Sequence, residues 1–268
     1  MSVTYKNAPL VELITEIRWG AGALAPNPGP QISFHTVGPA AGSDEELYGH
    51  FGALMAEQGF GRSERLAPMG ISAPPAQATI RYRPTDTKLA SPLFQIGQGV
   101  LTANALPPYK SWVEFSPKVR LGIDILFNAH TRANLPLPSV QVAVVRYIDA
   151  FPDSLTGGRS VRAFLQEVMG IDLVLPKELL SKATNAAQIE QIVQLALPTS
   201  AGRMQLSFAE GRNGNERAIM WDASVGVERA FGPDINAVMQ ALTEERQIIH
   251  DMFRALTKPL HNAMGPIQ

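Results

Sequence analysis

Apolar and polar residues alternate over several separate segments of this chain, and a period of two requires a fold that contains a β-sheet. In the clearest case, residues 10–19, one side carries Val11, Leu13, Ile17 and Trp19 and the other carries charged residues. Successive side chains of a strand point to opposite faces, so this segment predicts a strand with one buried face. Further strands are predicted at 78–83, 93–96, 100–104, 140–151, 189–197, 204–208 and 219–225.

Segments with helical periodicity lie between or after these strands. Ser43 and Glu46 match a capping box that begins a helix, and Gly59 favours its end. A second helix is predicted from about Tyr109, and Pro117 should force a kink or a fresh start within it. Apolar residues at helical spacing predict a third helix over 161–168 and a fourth, the longest, over 235–257.

The order of these elements is the same in both halves of the chain. Residues 1–137 and residues 138–268 each read as a strand, a helix, several meandering strands and a helix. Two such units predict an α+β fold with a curved, mainly antiparallel sheet and helices on one face. This element order resembles TATA-binding-protein-like folds or paired effector-binding modules. The alternative is a single mixed sheet without duplication.

Composition argues against several classes of protein. The formal net charge of -1 gives no basic field for nucleic acid or an anionic membrane. The one basic cluster, around residues 81–83, fits a solvated strand face. The absence of cysteine excludes disulfides, Cys-ligated zinc, iron–sulfur clusters and a thiol nucleophile. No signal-peptide pattern and no long apolar run are present, so we expect a cytoplasmic protein.

Motifs for catalysis, cofactors and metals are missing from the sequence. Residues 97–99 (Gly-Gln-Gly) lack the third glycine of a dinucleotide-binding loop and favour a hairpin turn. The five histidines have no ligand spacing. We therefore predict no catalytic residue, no cofactor and no metal, and favour a non-enzymatic protein.

The strongest candidate residues are charged groups inside apolar strands. Arg146, Tyr147 and Asp149 lie within 140–151, where a charge must be paired or must line a cavity. One reading is an arginine that anchors a ligand. The other, which we favour, is an ion pair of Arg146 or Arg18 with Glu12, Glu16 or Asp149.

Three aromatic residues complete the candidate set. Trp112 and Trp221 lie on the apolar sides of their elements, where a core role is the simpler interpretation. Tyr109 and Trp112 also stand at a helix entrance, where a peptide or a base could stack. A hydrophobic staple explains the same pattern.

Three stretches carry a resemblance that covers nearly the whole chain in order. They are residues 5–12 with 16–18, residues 99–104 with 109–112, and residues 145–149. Together they resemble a sporadically distributed family of uncharacterised bacterial proteins of about this length. The usual Asn after Arg-Tyr-Ile is Asp149 here. The resemblance implies a bacterial accessory protein, of the defence or toxin–antitoxin-like type, with no activity attached.

These observations predict a binding protein that acts with a partner protein encoded by a nearby gene. A homo-oligomer is the other assembly that this hypothesis allows. The long C-terminal helix and the Gly/Pro-rich loops offer surfaces for such a partner. The alternative is a small-ligand sensor that holds a compound on the concave sheet between the halves. Arg146, Tyr147 and Trp221 would anchor that compound.

Overall fold

The computed structural model describes residues 4–24, 43–67, 74–174, 176 and 192–267. Within these residues the chain is an α+β protein, which confirms the predicted class. The strands are β1 (Thr4–Tyr5), β2 (Leu10–Trp19), β3 (Arg62–Arg65), β4 (Ala78–Arg83), β5 (Leu93–Gly97), β6 (Val100–Ala105), β7 (Val140–Pro152), β8 (Ile192–Thr199), β9 (Gly202–Asn213), β10 (Glu216–Gly232) and β11 (Pro266–Ile267). The α-helices are α1 (Ser43–Glu57), α2 (Trp112–Arg132), α3 (Asp153–Thr156), α4 (Val161–Glu167), α5 (Ile235–Leu256) and α6 (His261–Met264), with 3₁₀ turns at Gly20–Leu24 and Lys258–Leu260.

Nine of the described strands form one open, antiparallel sheet. The strand order is β3-β4-β5-β6-β2-β7-β10-β9-β8. Strands β1 and β11 form a separate antiparallel ribbon with Thr4 opposite Ile267. No helix among the described residues has the length and apolar character needed to cross a bilayer.

Most element boundaries agree with the sequence-based predictions. Strand β2 has the predicted bounds, and α1 begins at Ser43, although the side chain of Ser43 lies outside the described residues. Helix α2 begins at Trp112, where the Ser111 hydroxyl accepts a hydrogen bond from the Glu114 amide. The helix continues through Pro117 without interruption, so a fresh start there is wrong.

Two compact units can be distinguished in the chain. The central unit comprises Glu12–Val145 and Gly226–Glu245. The terminal unit comprises Met1–Val11, Arg146–Val225 and Arg246–Gln268.

In the central unit, α1 and α2 pack on one face of β4, β5 and β6. The rings of Phe51 and Tyr82 lie 5.4 Å apart between centroids. Gly122 of α2 lies so close to Phe94 that an added Cβ would come 2.7 Å from a ring carbon. Because strand side chains alternate, Arg81, between Ile80 and Tyr82 on β4, faces the side of the sheet away from these helices.

The terminal unit is built around stacked aromatic rings. Trp221 of β10 stacks on Phe208 of β9 with 5.4 Å between centroids and on Phe253 of α5 with 5.6 Å. Phe151 of β7 stacks on the same indole at 6.2 Å and contacts Phe164 of α4 at 5.3 Å. These rings join three strands and two helices into one apolar core.

Candidate functional site

The candidate residues from the sequence fall in both units. Arg18, Tyr109 and Trp112 belong to the central unit, and Arg146, Tyr147, Asp149 and Trp221 belong to the terminal unit.

Arg146 forms a two-pronged ion pair with Asp222 of β10. Its Nε donates to Asp222 Oδ1 at 2.8 Å, and Nη2 donates to Oδ2. Both side chains are about a quarter exposed, at 26% and 29%. The sequence predicts an ion pair for Arg146 but misses this partner. The signal for Asp222 is its place between Trp221 and Ala223, which puts it on the opposite face from that apolar row.

Arg18 makes the ion pair that the sequence offers as one possibility. Its Nε donates to Oε1 of Glu16 at 2.5 Å, and the Arg18 side chain is buried. The two residues are two positions apart on β2 and therefore share one face of the strand. The pair satisfies the charge of a buried guanidinium locally.

Asp149 is the buried acid of the terminal unit. Only 3% of the residue is exposed. Burial, and secondarily the nearby carboxylate of Asp222, raise the pKa of Asp149 to about 7. A buried carboxyl group whose pKa lies near neutral pH is a feature of many functional sites, which keeps Asp149 among the candidate residues.

The three aromatic candidates are involved in packing. Trp221 is 1% exposed within the stacked core of its unit. The indole N–H of Trp112 donates to Thr243 Oγ1 at 3.2 Å, which ties α2 to α5 inside the central unit. Tyr109 packs edge-on against Phe115 with 6.2 Å between centroids. These contacts agree with the core interpretation of the two tryptophans.

A chain of hydrogen-bonded side chains crosses four neighbouring strands of the central unit, on the face away from α1 and α2. Arg81 donates to Gln95 Oε1 at 3.4 Å, and Gln95 Nε2 donates to Thr102 Oγ1 at 3.4 Å. Thr102 donates to Asn104 Oδ1 at 2.7 Å, and Asn104 Nδ2 donates to Glu12 Oε1 at 2.7 Å. Every hydrogen bond in this chain is donated in the same direction, from the Arg81 guanidinium towards the Glu12 carboxylate, so the bonds polarise one another.

Glu245 occupies a core position of α5 that sequence reasoning missed. It is 0% exposed, and neither carboxyl oxygen has a hydrogen-bond partner among the described residues. Burial raises the pKa of Glu245 to about 10; the backbone N–H groups of Val227 and Val145 lower it in part, without reaching hydrogen-bonding geometry. The sequence pattern that marks this position is helical spacing, because Glu245 lies three residues after Leu242 and four before Ile249, and both of these residues are buried.

Strand β8 ends the sheet on the side of the terminal unit, and none of its eight residues is charged. Leu195 and Leu197 stand opposite the buried Leu206 and Met204 of β9, so they lie on the face that carries the core. Both leucines are nevertheless partly exposed, and Ile192 is 71% exposed. Among the described strands, β8 pairs with β9 alone.

The other end of the sheet has a different character. Strand β3 is four residues long and carries Arg62, Glu64 and Arg65. Short, charged edge strands discourage pairing with another chain, whereas long uncharged ones favour it. Strand β8 therefore lacks the protection that β3 has.

The comparisons with protein-family models and with curated proteins give no match. A comparison with solved structures gives the di-domain ARO/CYC StfQ from the steffimycin biosynthetic pathway. The two chains share 10% identity over 93% of this chain and 98% of that one, with a TM-score of 0.18. A likeness at this TM-score carries no inference about fold or activity.

Proposed function

We propose that this chain is a non-enzymatic interaction protein that binds another polypeptide by taking up an extended strand along β8. The observation that supports this proposal is the exposed, uncharged edge of β8. Backbone N–H and C=O groups at such an edge supply affinity for an added strand, and the side chains on either face supply selectivity.

The biological setting is also part of this proposal. We place the protein in the cytoplasm of a bacterium, in an accessory system of the defence or toxin–antitoxin-like type. Support comes from the resemblance carried by residues 5–12 and 145–149. The bound polypeptide is either the product of a neighbouring gene or a second copy of this chain.

The geometry of the β8–β9 hairpin provides a test. Two residues separate Thr199 from Gly202, which oppose each other. In a hairpin with a two-residue loop the flanking pair is hydrogen-bonded, so alternate residues of β8, including Ala196, direct their N–H away from β9. Ala196→Pro therefore removes an outward donor and leaves the β8–β9 ladder in place.

The experiment measures the fluorescence anisotropy of a labelled peptide that copies residues 202–213, the natural antiparallel complement of β8. We expect saturable binding to the wild type and roughly tenfold weaker binding to Ala196→Pro, the effect of losing about 1.4 kcal/mol of backbone hydrogen bonding. Ile192→Lys should also weaken binding. Val113→Lys, a change at a similarly exposed apolar residue of α2 (79% exposed), is the control. Equal binding by wild type and Ala196→Pro would contradict the proposal.

The order of the strands also bears on whether the chain is an internal duplication. We infer that residues 1–137 and 138–268 are two similar halves, as in TATA-binding-protein-like folds or paired effector-binding modules. The strand order supports this, because β2, β6, β5 and β4 follow one another outward on one side as β7, β10, β9 and β8 do on the other. An experimental structure in which the two halves superpose strand for strand would test it.

A small-ligand sensor is the second candidate, and the hydrogen-bond chain from Arg81 to Glu12 favours it. Amide, hydroxyl and charged groups gathered on one sheet face are the groups that orient a polar ligand. The test is a thermal-shift screen with soluble metabolites. A sensor requires a compound that raises the melting temperature of the wild type in a dose-dependent way and has no effect on a variant of a partly exposed member of the chain, Gln95→Ala.

A further inference from the structure

We propose that the polypeptide bound along β8 is a second copy of this chain. The two β8 strands pair antiparallel about a two-fold axis that sets Leu195 opposite its own copy. This inference rests on the proposed function and names the partner.

Side-chain complementarity is the first argument. Pairing centred on Leu195 sets Val193 opposite the partner's Leu197 on the face that carries the core. Every side chain of β8 on that face between residues 193 and 197 then meets another apolar side chain. Because β8 has no charged residue, self-pairing brings no like charges together.

The backbone fits the same register. Because Thr199 and Gly202 form the hydrogen-bonded pair that flanks the two-residue loop, Gln194 and Ala196 direct their N–H groups outward. In this register Gln194 stands opposite the partner's Ala196, so the two residues exchange backbone hydrogen bonds. Pro198 has no N–H and ends the ladder at the far end of the strand.

Continuity with the core favours a second copy over an unrelated strand. Leu195 and Leu197 extend the apolar row of Leu206 and Met204 by one strand, and a two-fold related copy continues that row with the same residues. Isologous two-fold dimers are also the commonest assemblies of soluble proteins. An eight-residue strand buries less than the roughly 800 Å² per partner of stable complexes, so we expect a concentration-dependent dimer.

The cysteine-free sequence makes this pairing directly measurable. In Leu195→Cys the two thiols would face each other at a non-hydrogen-bonded position, where Cα atoms about 4.5 Å apart suit a disulfide. We expect mild oxidation with diamide to convert this variant to a covalent dimer. Ser63→Cys on the β3 edge, the matched control, should stay monomeric. Equal cross-linking of the two variants would overturn the inference.

A second measurement does not depend on the cysteine variants. Sedimentation velocity of the wild type from about 1 to about 200 μM should show a rising dimer fraction, and Ala196→Pro should remain monomeric throughout. A wild type that stays monomeric over this range would overturn the second copy as the partner.

The two proposals fail differently. If the 202–213 peptide binds to the wild type but no dimer forms, β8 accepts a strand and the partner is another protein. If neither the peptide nor a second copy binds, the proposed function falls as well.

Discussion

The carboxylate of Asp222 acts electrostatically on the buried carboxyl group of Asp149, and Arg146 forms a two-pronged ion pair with Asp222. Burial, and secondarily the negative charge of Asp222, raise the pKa of Asp149 to about 7.

This relationship predicts a pH-dependent stability that Asp149→Asn removes. The folded-state pKa of Asp149 is raised from its ordinary value of 3.8, so its contribution to stability is complete below about pH 4 and is lost as the pH rises to about 7. The loss amounts to at most about 4 kcal/mol, at 1.36 kcal/mol per pKa unit. Urea unfolding at pH 4.5, 6 and 8 should show a shallower decline for Asp149→Asn than for the wild type. The exposed Asp251→Asn is the control, and parallel curves for wild type and Asp149→Asn would refute the assignment.

The sequence predicts this site only in part. A charge inside the apolar run 140–151 is visible as an anomaly, which is why Arg146 and Asp149 are candidates from the start. The partner Asp222 follows 76 residues after Arg146, and only the pairing of the strands decides which charge meets which. Local patterns carry no such information.

The elements of the fold also differ in how far local sequence patterns predict them. Strand β2 and helix α5 have strong periodicity, and the sequence places both. Strand β3 is absent from the strands that the sequence predicts because Arg62–Arg65 has no apolar alternation; it is a strand only through pairing with β4. Pro117 costs α2 one backbone hydrogen bond, but a 21-residue helix with a buried face compensates through packing.

Glu245→Gln should stabilise the protein at alkaline pH. The pKa of Glu245 is raised from 4.5 to about 10, so the folded state loses stability steadily as the pH rises from about 5 towards 10. A glutamine has nearly the same shape as protonated Glu245 and is likewise uncharged. At pH 8 we expect a gain of about 2 kcal/mol or more in the free energy of unfolding, and almost none at pH 4.5.

Glu244→Gln provides the matched control for this experiment. Glu244 is the preceding residue of α5 and is exposed. Its substitution should leave the pH dependence of denaturant unfolding unchanged. A similar pH response in both variants would mean that Glu245 is ionised in the folded protein.

Asn104→Ala should break the hydrogen-bond chain at its most buried member. The change removes the acceptor of the Thr102 hydroxyl and the Asn104 donor to the Glu12 carboxylate, at a cost of about 1–3 kcal/mol. Chemical denaturation compared with Asn128→Ala, an exposed asparagine of α2, measures the effect. A loss no greater than that of Asn128→Ala would show that the chain contributes nothing to stability.

Two helical glycines should respond to alanine with opposite signs. Alanine is the better helix former by about 1 kcal/mol, so Gly49→Ala on the exposed side of α1, where an added Cβ has no neighbour within 4 Å, should raise the melting temperature. At Gly122 the added Cβ would come 2.7 Å from the Phe94 ring, which is fully buried between α2 and β5. Overpacking of this kind costs about 1–3 kcal/mol and exceeds the gain in helix propensity. Gly122→Ala should therefore lower the melting temperature in the same assay. A higher melting temperature in both variants would mean that there is room for a Cβ between Gly122 and the Phe94 ring.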